Sequence, residues 1–167
     1  MLELHDFTVK AGCRPIAAGA FIGEHSFSST TLPIAPGRPD EPDIKEAEKF
    51  GKHIREKVKQ LISINDITPL RFPGKSPYKK QGKHSWKPPG TRQQLCTLCG
   101  NCKSGCPAGA ITISDKIKTD RHSCIYCCAC IKNCPEGARF IADIKMKGLA
   151  VLLHKGFSAR KDPQWFI

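Results

Sequence analysis

The chain has 167 residues, with 27 Lys and Arg against 15 Asp and Glu for a formal charge of +12, and ten cysteines. That length allows one medium domain or two small ones. No run approaches the roughly 18 consecutive apolar residues of a membrane span, and Met1-Leu-Glu-Leu-His-Asp6 has neither the basic start nor the apolar stretch of a secretory leader. All the cysteines except Cys13 fall between 96 and 134, which points to metal ligation in a reducing compartment rather than to a disulfide scaffold, so a cytoplasmic location is expected.

Residues 1–11 place apolar side chains at Leu2, Leu4, Phe7, Val9 and Ala11, and Gly12 follows. This is the pattern of an amphipathic helix with glycine just past its stop. It has no N-cap of its own and reads as a helix entered part-way. Residues 14–22, Arg-Pro-Ile-Ala-Ala-Gly-Ala-Phe-Ile, form an apolar run with little alternation, as expected of a strand buried on both faces of a parallel sheet. In the loop over 23–42, Gly23, Glu24, His25 and Ser26 are expected to hydrogen-bond locally and Arg38 with Asp40 to hold a turn. Asp43 is expected to cap a helix, with Glu46 completing a capping box and Ile44, Ala47, Phe50, Ile54, Val58 and Leu61 forming its apolar face.

Residues 65–95 set Pro69, Pro73, Pro77, Pro88 and Pro89 among Lys75, Lys79, Lys80, Lys83 and Lys87. Without helical or strand period they read as an extended tether, packed along the segment that follows through Phe72, Tyr78 and Trp86. A basic, aromatic-bearing strip also has the composition of a single-strand nucleic-acid binder. A tether is needed here in any case, and the other cations are spread along the chain rather than gathered in one recognition motif. Nucleic acid is therefore not the expected partner, and an acidic protein surface suits the charge better.

The centre of the chain is Cys96-Thr-Leu-Cys99-Gly-Asn-Cys102-Lys-Ser-Gly-Cys106-Pro107. It recurs as Cys124-Ile-Tyr-Cys127-Cys128-Ala-Cys130-Ile-Lys-Asn-Cys134-Pro135. The pattern C-x2-C-x2-C-x3-C-P is repeated at an offset of 28 residues (96 to 124, 99 to 127, 102 to 130, 106 to 134), an internal duplication. Three thiolates at that spacing wrap a short turn around one cubane iron–sulfur cluster, and the fourth, followed by proline, reaches the other cluster. The expected ligands are Cys96, Cys99, Cys102 and Cys134 for one 4Fe-4S cluster and Cys124, Cys127, Cys130 and Cys106 for a second. Zinc sites would use two separated ligand pairs per ion, which is not this layout.

The stretch resembles the bacterial ferredoxin domain with two 4Fe-4S clusters. The resemblance implies low-potential clusters, an anaerobic source, and two short helices and two hairpins in the order βαββαβ with pseudo-two-fold symmetry. Ala110–Ile113 and Lys116–Thr119 flank Ser114-Asp115 as a hairpin, and Arg139–Ala142 is the matching strand of the second half. Ile111, Ile113, Ile117, Ile125, Ile131 and Phe140 are the expected apolar shell. Tyr126 is read as a cover over the second cluster, Cys128 as a small buried filler, residues 143–155 as a terminal helix, and Trp165 with Phe166 as the anchor of the tail.

A second resemblance involves Ala18-Gly-Ala-Phe-Ile-Gly-Glu-His-Ser-Phe-Ser28, Ala35-Pro-Gly-Arg-Pro-Asp40 and Phe50-Gly51. These resemble the last third of a flavodoxin-like domain, which anaerobe proteins carry fused ahead of a two-cluster ferredoxin domain. The tail Arg160-Lys-Asp-Pro-Gln-Trp-Phe166 shares in the likeness. The phosphate loop and early strands of such a domain are missing from this sequence, so the flavodoxin-like part reads as amino-terminally truncated and FMN is not expected on this chain alone.

The expected fold is α+β: a partial α/β flavodoxin-like segment at 1–64, a Pro/Lys-rich linker at 65–90, the two-cluster ferredoxin domain at 91–145, and a C-terminal helix and tail at 146–167. The expected function is low-potential one-electron transfer, with no catalytic residue assigned and with redox proteins, acidic or flavin-bearing, as partners. The alternative is an electron-input subunit of a flavin-dependent oxidoreductase whose missing flavodoxin-like half comes from another chain.

Overall fold

The computed structural model describes residues 1–79 and 86–167; Lys80 and Lys83 of the linker lie outside the described residues. In chain order the elements are α1 (Leu2–Lys10), β1 (Ala18–Ala20), α2 (Glu41–Gln60), β2 (Gly90–Thr91), α3 (Asn101–Ser104), β3 (Ile111–Ile113), β4 (Ile117–Thr119), α4 (Ala129–Lys132), β5 (Arg139–Phe140), α5 (Ile144–Phe157) and β6 (Gln164–Phe166). Short 3-10 turns lie at Ile64–Asp66 and Gln93–Leu95. The chain forms two compact units. The first takes Met1–Glu24, Gly37–Gly82 and Ala159–Ile167, the second His25–Pro36 and Lys83–Ser158.

In the first unit α1 stops where the sequence predicts. Gly12 adopts φ +84, its N–H bonds Val9 O at 2.9 Å, and the Cys13 N–H bonds Thr8 O at 3.1 Å, closing a Schellman turn. β1 is shorter than the apolar run 14–22 and does not lie in a parallel sheet. It pairs antiparallel with β6, Ala18 opposite Phe166 and Ala20 opposite Gln164. A lone strand cannot satisfy its own ladder groups, and the tail of the same chain supplies the partner.

The chain's tail is anchored there by rings. Phe50 of α2 packs on Phe21 and Trp165, with centroids 6.0 and 5.8 Å apart, and His53 lies 5.1 Å from Trp165. The buried stripe of α2 is narrower than its sequence stripe. Ala47, Phe50 and Ile54 are half-buried, whereas Ile44 and Val58 are exposed, because a two-stranded sheet covers only the middle of a 20-residue helix.

The start of α2 also differs from expectation. Asp40, not Asp43, is the N-cap. Its carboxylate accepts from the Asp43 N–H at 3.2 Å, and the Asp43 carboxylate accepts from the Asp40 N–H at 2.9 Å. A capping box needs its carboxylate three residues after the cap, and Asp43 fills that role. Asp43 is buried and bound by both nitrogens of the Arg38 fork. Those bonds hold its carboxyl well below the usual carboxylate range. Arg160 in turn reaches Asp40 at 2.5 Å, and Glu46 pairs with Lys49 at 2.6 Å.

The linker aromatics do not act together as the sequence reading expects. Phe72 packs in the first unit, 5.2 Å from His5 and 5.3 Å from Phe166, and Tyr78 donates to the Asp6 carboxylate there. An acceptor and an apolar floor are both available beside α1. Trp86 belongs to the second unit, where its ring meets Tyr126 at 5.7 Å and Phe27 at 6.3 Å.

The second unit runs strand–helix–strand–strand–helix–strand from β2 to β5 and then adds α5. β2 pairs with β5, Gly90 opposite Phe140 and Thr91 opposite Arg139. β3 pairs with β4, Ile111 opposite Thr119 and Ile113 opposite Ile117. Both pairs are antiparallel, and the second is the predicted hairpin. Ile111 and Ile117 are buried between these strands and the helices α3 and α4, each contributing roughly 1.5–3 kcal/mol of burial. Ile125, expected in the same shell, is 62% exposed.

A second core joins Cys128, Met146 and Ala150 to Phe27 and Ile34. The segment 25–36 therefore supplies core side chains to the second unit. His154 of α5 lies 2.7 Å from the Pro33 carbonyl oxygen through Nδ1. Asp143 caps α5 by accepting from the Lys145 and Met146 N–H groups, and it also accepts from the Lys87 N–H at 2.8 Å.

Candidate metal centre

The two cysteine motifs fold alike. In each, the third cysteine lies on a four-residue helix, Cys102 on α3 and Cys130 on α4, and the fourth follows within a turn of the helix end. The Gly100 carbonyl accepts from the N–H groups of Lys103 and Ser104 at 2.9 and 3.0 Å; the Cys128 carbonyl accepts from those of Ile131 and Lys132 at 2.9 and 3.1 Å. After each fourth cysteine the chain turns back, Gly109 N–H to Cys106 O and Gly137 N–H to Cys134 O, both at 3.1 Å. Pro107 and Pro135 fix φ at the start of these turns and contribute no competing donor.

This backbone divides the eight motif cysteines four and four. Cys96, Cys99, Cys102 and Cys134 line one space with Gly100 and Ala138, about 320 Å³ of empty volume including its open mouth. Cys106, Cys124, Cys127 and Cys130 line another with Ala108 and Ala110, about 310 Å³ on the same basis. Each space takes three thiols from one repeat and one from the other. A mononuclear zinc site would draw four donors to about 2.3 Å from one point. Among the described residues no three His, Cys, Asp or Glu side chains converge in that way; the thiols stand around the walls.

Most of the thiols are shielded. Cys102 and Cys130 are buried, Cys96, Cys106, Cys124, Cys127 and Cys134 are partly buried, and Cys99 is exposed. Desolvation pushes the Cys102 and Cys124 thiols up, and at Cys102 the positive charge of Arg139 acts against it. Binding to a cation reverses that balance, because a coordinating thiol is deprotonated outright.

The polar surroundings suit negatively charged sulfur. The Ala110 N–H donates to Cys106 Sγ at 3.3 Å, and Arg139 Nη2 donates to Cys130 Sγ at 3.5 Å. Arg139 also lines the first space, and its buried Nε–H has no acceptor among the described residues. Such an orphan donor fits a site that holds an iron–sulfur cluster, whose sulfides accept hydrogen bonds.

Cys128 lines the second space as well but stands apart from the motif. It is buried in the core with Phe27 and Met146, its Sγ bonds Tyr126 O at 3.6 Å, and burial pushes its thiol up to about 12. Tyr126 donates to the Trp86 carbonyl oxygen at 2.7 Å, so phenol and indole together close the side of this unit where Cys128 lies. In the sequence Arg139 reads only as a strand residue. Its position opposite Ile111 in the repeat is the signal that marks it.

In the loop over 23–42, Glu24 accepts from the Gly37 N–H and His25 Nδ1 accepts from the Phe27 N–H at 3.0 Å, the local bonding expected of it. Among the described residues no helix is long and apolar enough to cross a membrane. No curated protein matches the chain. Residues 89–135 match the 4Fe-4S dicluster domain family. That stretch is thus a 4Fe-4S dicluster domain of the ferredoxin type, and iron–sulfur electron transfer is the role it supports.

Proposed function

We propose that the protein is a low-potential one-electron carrier holding two 4Fe-4S clusters, one on Cys96, Cys99, Cys102 and Cys134 and the other on Cys124, Cys127, Cys130 and Cys106. The observation that carries this reading is the four-and-four division of the motif cysteines between two spaces, each drawing one thiol across from the other repeat. When bound, the clusters supply sites that accept and release a single electron. The chain's own groups do the rest. Eight thiolates hold the iron, while the Ala110 N–H and the Arg139 guanidinium offset negative charge at sulfur. Ile111 and Ile117 keep water from the wall between the repeats.

Cys99 is exposed, and Ile125, beside the second space, is 62% exposed. We place electron entry and exit at these exposed lining residues. A chain of formal charge +12 favours an acidic redox partner in a reducing, cytoplasmic setting.

The test is anaerobic purification with iron, sulfide, zinc and flavin measured per chain. About eight iron and eight sulfide without flavin is the expected result. Zinc that persists through reconstitution with iron and sulfide overturns the reading.

A second reading keeps residues 1–64 as a partial flavodoxin-like segment that docks a flavin-bearing chain. It is favoured by Leu4 and Phe7 of α1, three residues apart on one face of the helix and 70% and 64% exposed. Co-purification of a flavoprotein that is lost on Phe7→Glu supports this reading, and full electron-transfer competence as a monomer counts against it.

A further inference from the structure

Arg139 stands in the second repeat where Ile111 stands in the first, at the same 28-residue offset as the cysteines. Each follows a buried alanine, Ala138 or Ala110, and each opens a strand. Both are buried, Ile111 at 3% and Arg139 at 4% exposure. Burying a guanidinium where the other half of the fold buries a hydrocarbon is costly unless something meets the charge.

The protein groups around Arg139 meet its hydrogen bonds only in part. Nη1 donates to Thr91 Oγ1 at 2.6 Å, and Nη2 donates to Thr119 Oγ1 at 2.8 Å and to Cys130 Sγ at 3.5 Å. Nε has no partner. The hydroxyls carry no charge, and among the described residues no carboxylate pairs with Arg139; Glu136, which lines the same space, forms no ion pair with it. The counter-charge left is that of the sulfur sites. Arg139 touches both: it lines the space of Cys96, Cys99, Cys102 and Cys134, and it bonds a thiol of the other.

We propose that Arg139 sets the reduction potentials of both cluster sites, and sets them apart from one another. Its positive charge favours the more negative, reduced state at each, and its hydrogen bond adds a further pull at the site of Cys130. The inference rests on the electron-carrier reading above. In the redox step one electron, supplied by a reduced partner protein, adds one negative charge at one site. No bond breaks and no proton moves in this step. The effect is electrostatic, and it is large here because both charges sit away from water. N–H donors to cluster sulfur raise potential by the same logic. The first repeat, with Ile111 in the equivalent place, has no such cation, so the asymmetry between the halves is built into one side chain.

The experiment is an anaerobic redox titration of the full chain loaded with iron and sulfide, followed by electron paramagnetic resonance. Arg139→Ile copies the residue the fold already accepts at Ile111. Its midpoints are expected to fall, with at least one changing the oxidised-to-reduced ratio at fixed poise about tenfold, or 59 mV for a one-electron couple. Iron and sulfide per chain are measured alongside. Full cluster content with unchanged midpoints overturns the proposal and leaves the carrier reading intact. A wild-type chain that takes up no iron and sulfide overturns both. Should the isoleucine variant lose its clusters, Arg139→Gln decides. It removes the charge but keeps an amide donor in place of the guanidinium that bonds Thr91, Thr119 and Cys130, so a downward shift is expected and midpoints identical to the wild type's overturn the proposal.

Discussion

Gly100 and Cys128 lie one repeat apart and share the left-handed backbone conformation, with φ +88 and +59, at the N-caps of α3 and α4. Leu98 and Tyr126 follow suit at +55 and +57, as do Gly109 and Gly137 at +60 and +58. The duplication is therefore one of backbone conformation as well as of sequence, and it holds even where the residue type changes. Cys128 puts a side chain where the first repeat has glycine, and that side chain fills the core against Phe27 and Met146.

Two costs separate at this position. Cys128→Gly relieves the left-handed backbone, by roughly 1–2 kcal/mol, but deletes a buried thiol. Cys128→Ala deletes the sulfur and keeps the strain. Both variants are expected to retain the full iron content, with the glycine variant melting above the alanine variant. Iron analysis and thermal melts of the two check this, and loss of iron from the alanine variant would show that Cys128 is a ligand rather than filler.

The crossed assignment of the fourth cysteines makes its own prediction. Cys134→Ala is expected to remove the cluster held by Cys96, Cys99 and Cys102, leaving about four iron per chain, and to spare the site of the repeat in which Cys134 itself lies. Cys106→Ala is expected to do the reverse. Resonance signals of the remaining cluster, compared between the two variants, read out which site survives. Identical residual spectra would contradict the crossing.

Much of this centre was legible because its code is local. Cysteine spacing, the prolines after Cys106 and Cys134, and the alternation in Ile111–Ile113 and Ile117–Thr119 are short-range features, and the backbone around them obeys short-range rules. What escaped depends on long-range choice. Asp40 and Asp43 both carry capping chemistry, and only the meeting of Asp43 with Arg38 and of Asp40 with Arg160, from the far end of the chain, decides between them. The strand at Ala18–Ala20 finds β6 rather than a parallel neighbour. Phe27 and Ile34 sit in a segment with loop composition, and nothing near them in sequence announces that they pack beside Cys128 and Met146.

Acid should loosen the first unit through Asp43. Its folded pKa is depressed, chiefly by the Arg38 hydrogen bonds, so the stabilisation is present above the unfolded value of about 3.9 and is lost as pH falls toward the folded one. Hydrogen exchange of the α2 amides is expected to quicken below about pH 4. Asp43→Asn should show fast exchange already at neutral pH, with a weaker acid response. An unchanged exchange profile in that variant would remove Asp43 from the account of how α2 is held.

Alkali should act through Tyr78. Its phenol donates to the Asp6 carboxylate, and that bond, with burial, pushes its pKa up to about 12. The sign is the reverse of Asp43: the folded value lies above the unfolded one, near 10. The stabilisation is fully present below about pH 10 and is lost as pH rises toward 12. The chain has two tyrosines, so Tyr126→Phe leaves Tyr78 as the sole tyrosinate chromophore. Its near-ultraviolet titration is expected to be displaced upward from that of a free tyrosine. Adding Asp6→Asn should return the midpoint toward the ordinary value and free the linker from α1, raising protease sensitivity around Phe72. A midpoint that does not move when Asp6 loses its charge would mean that the phenol is held by something other than this carboxylate.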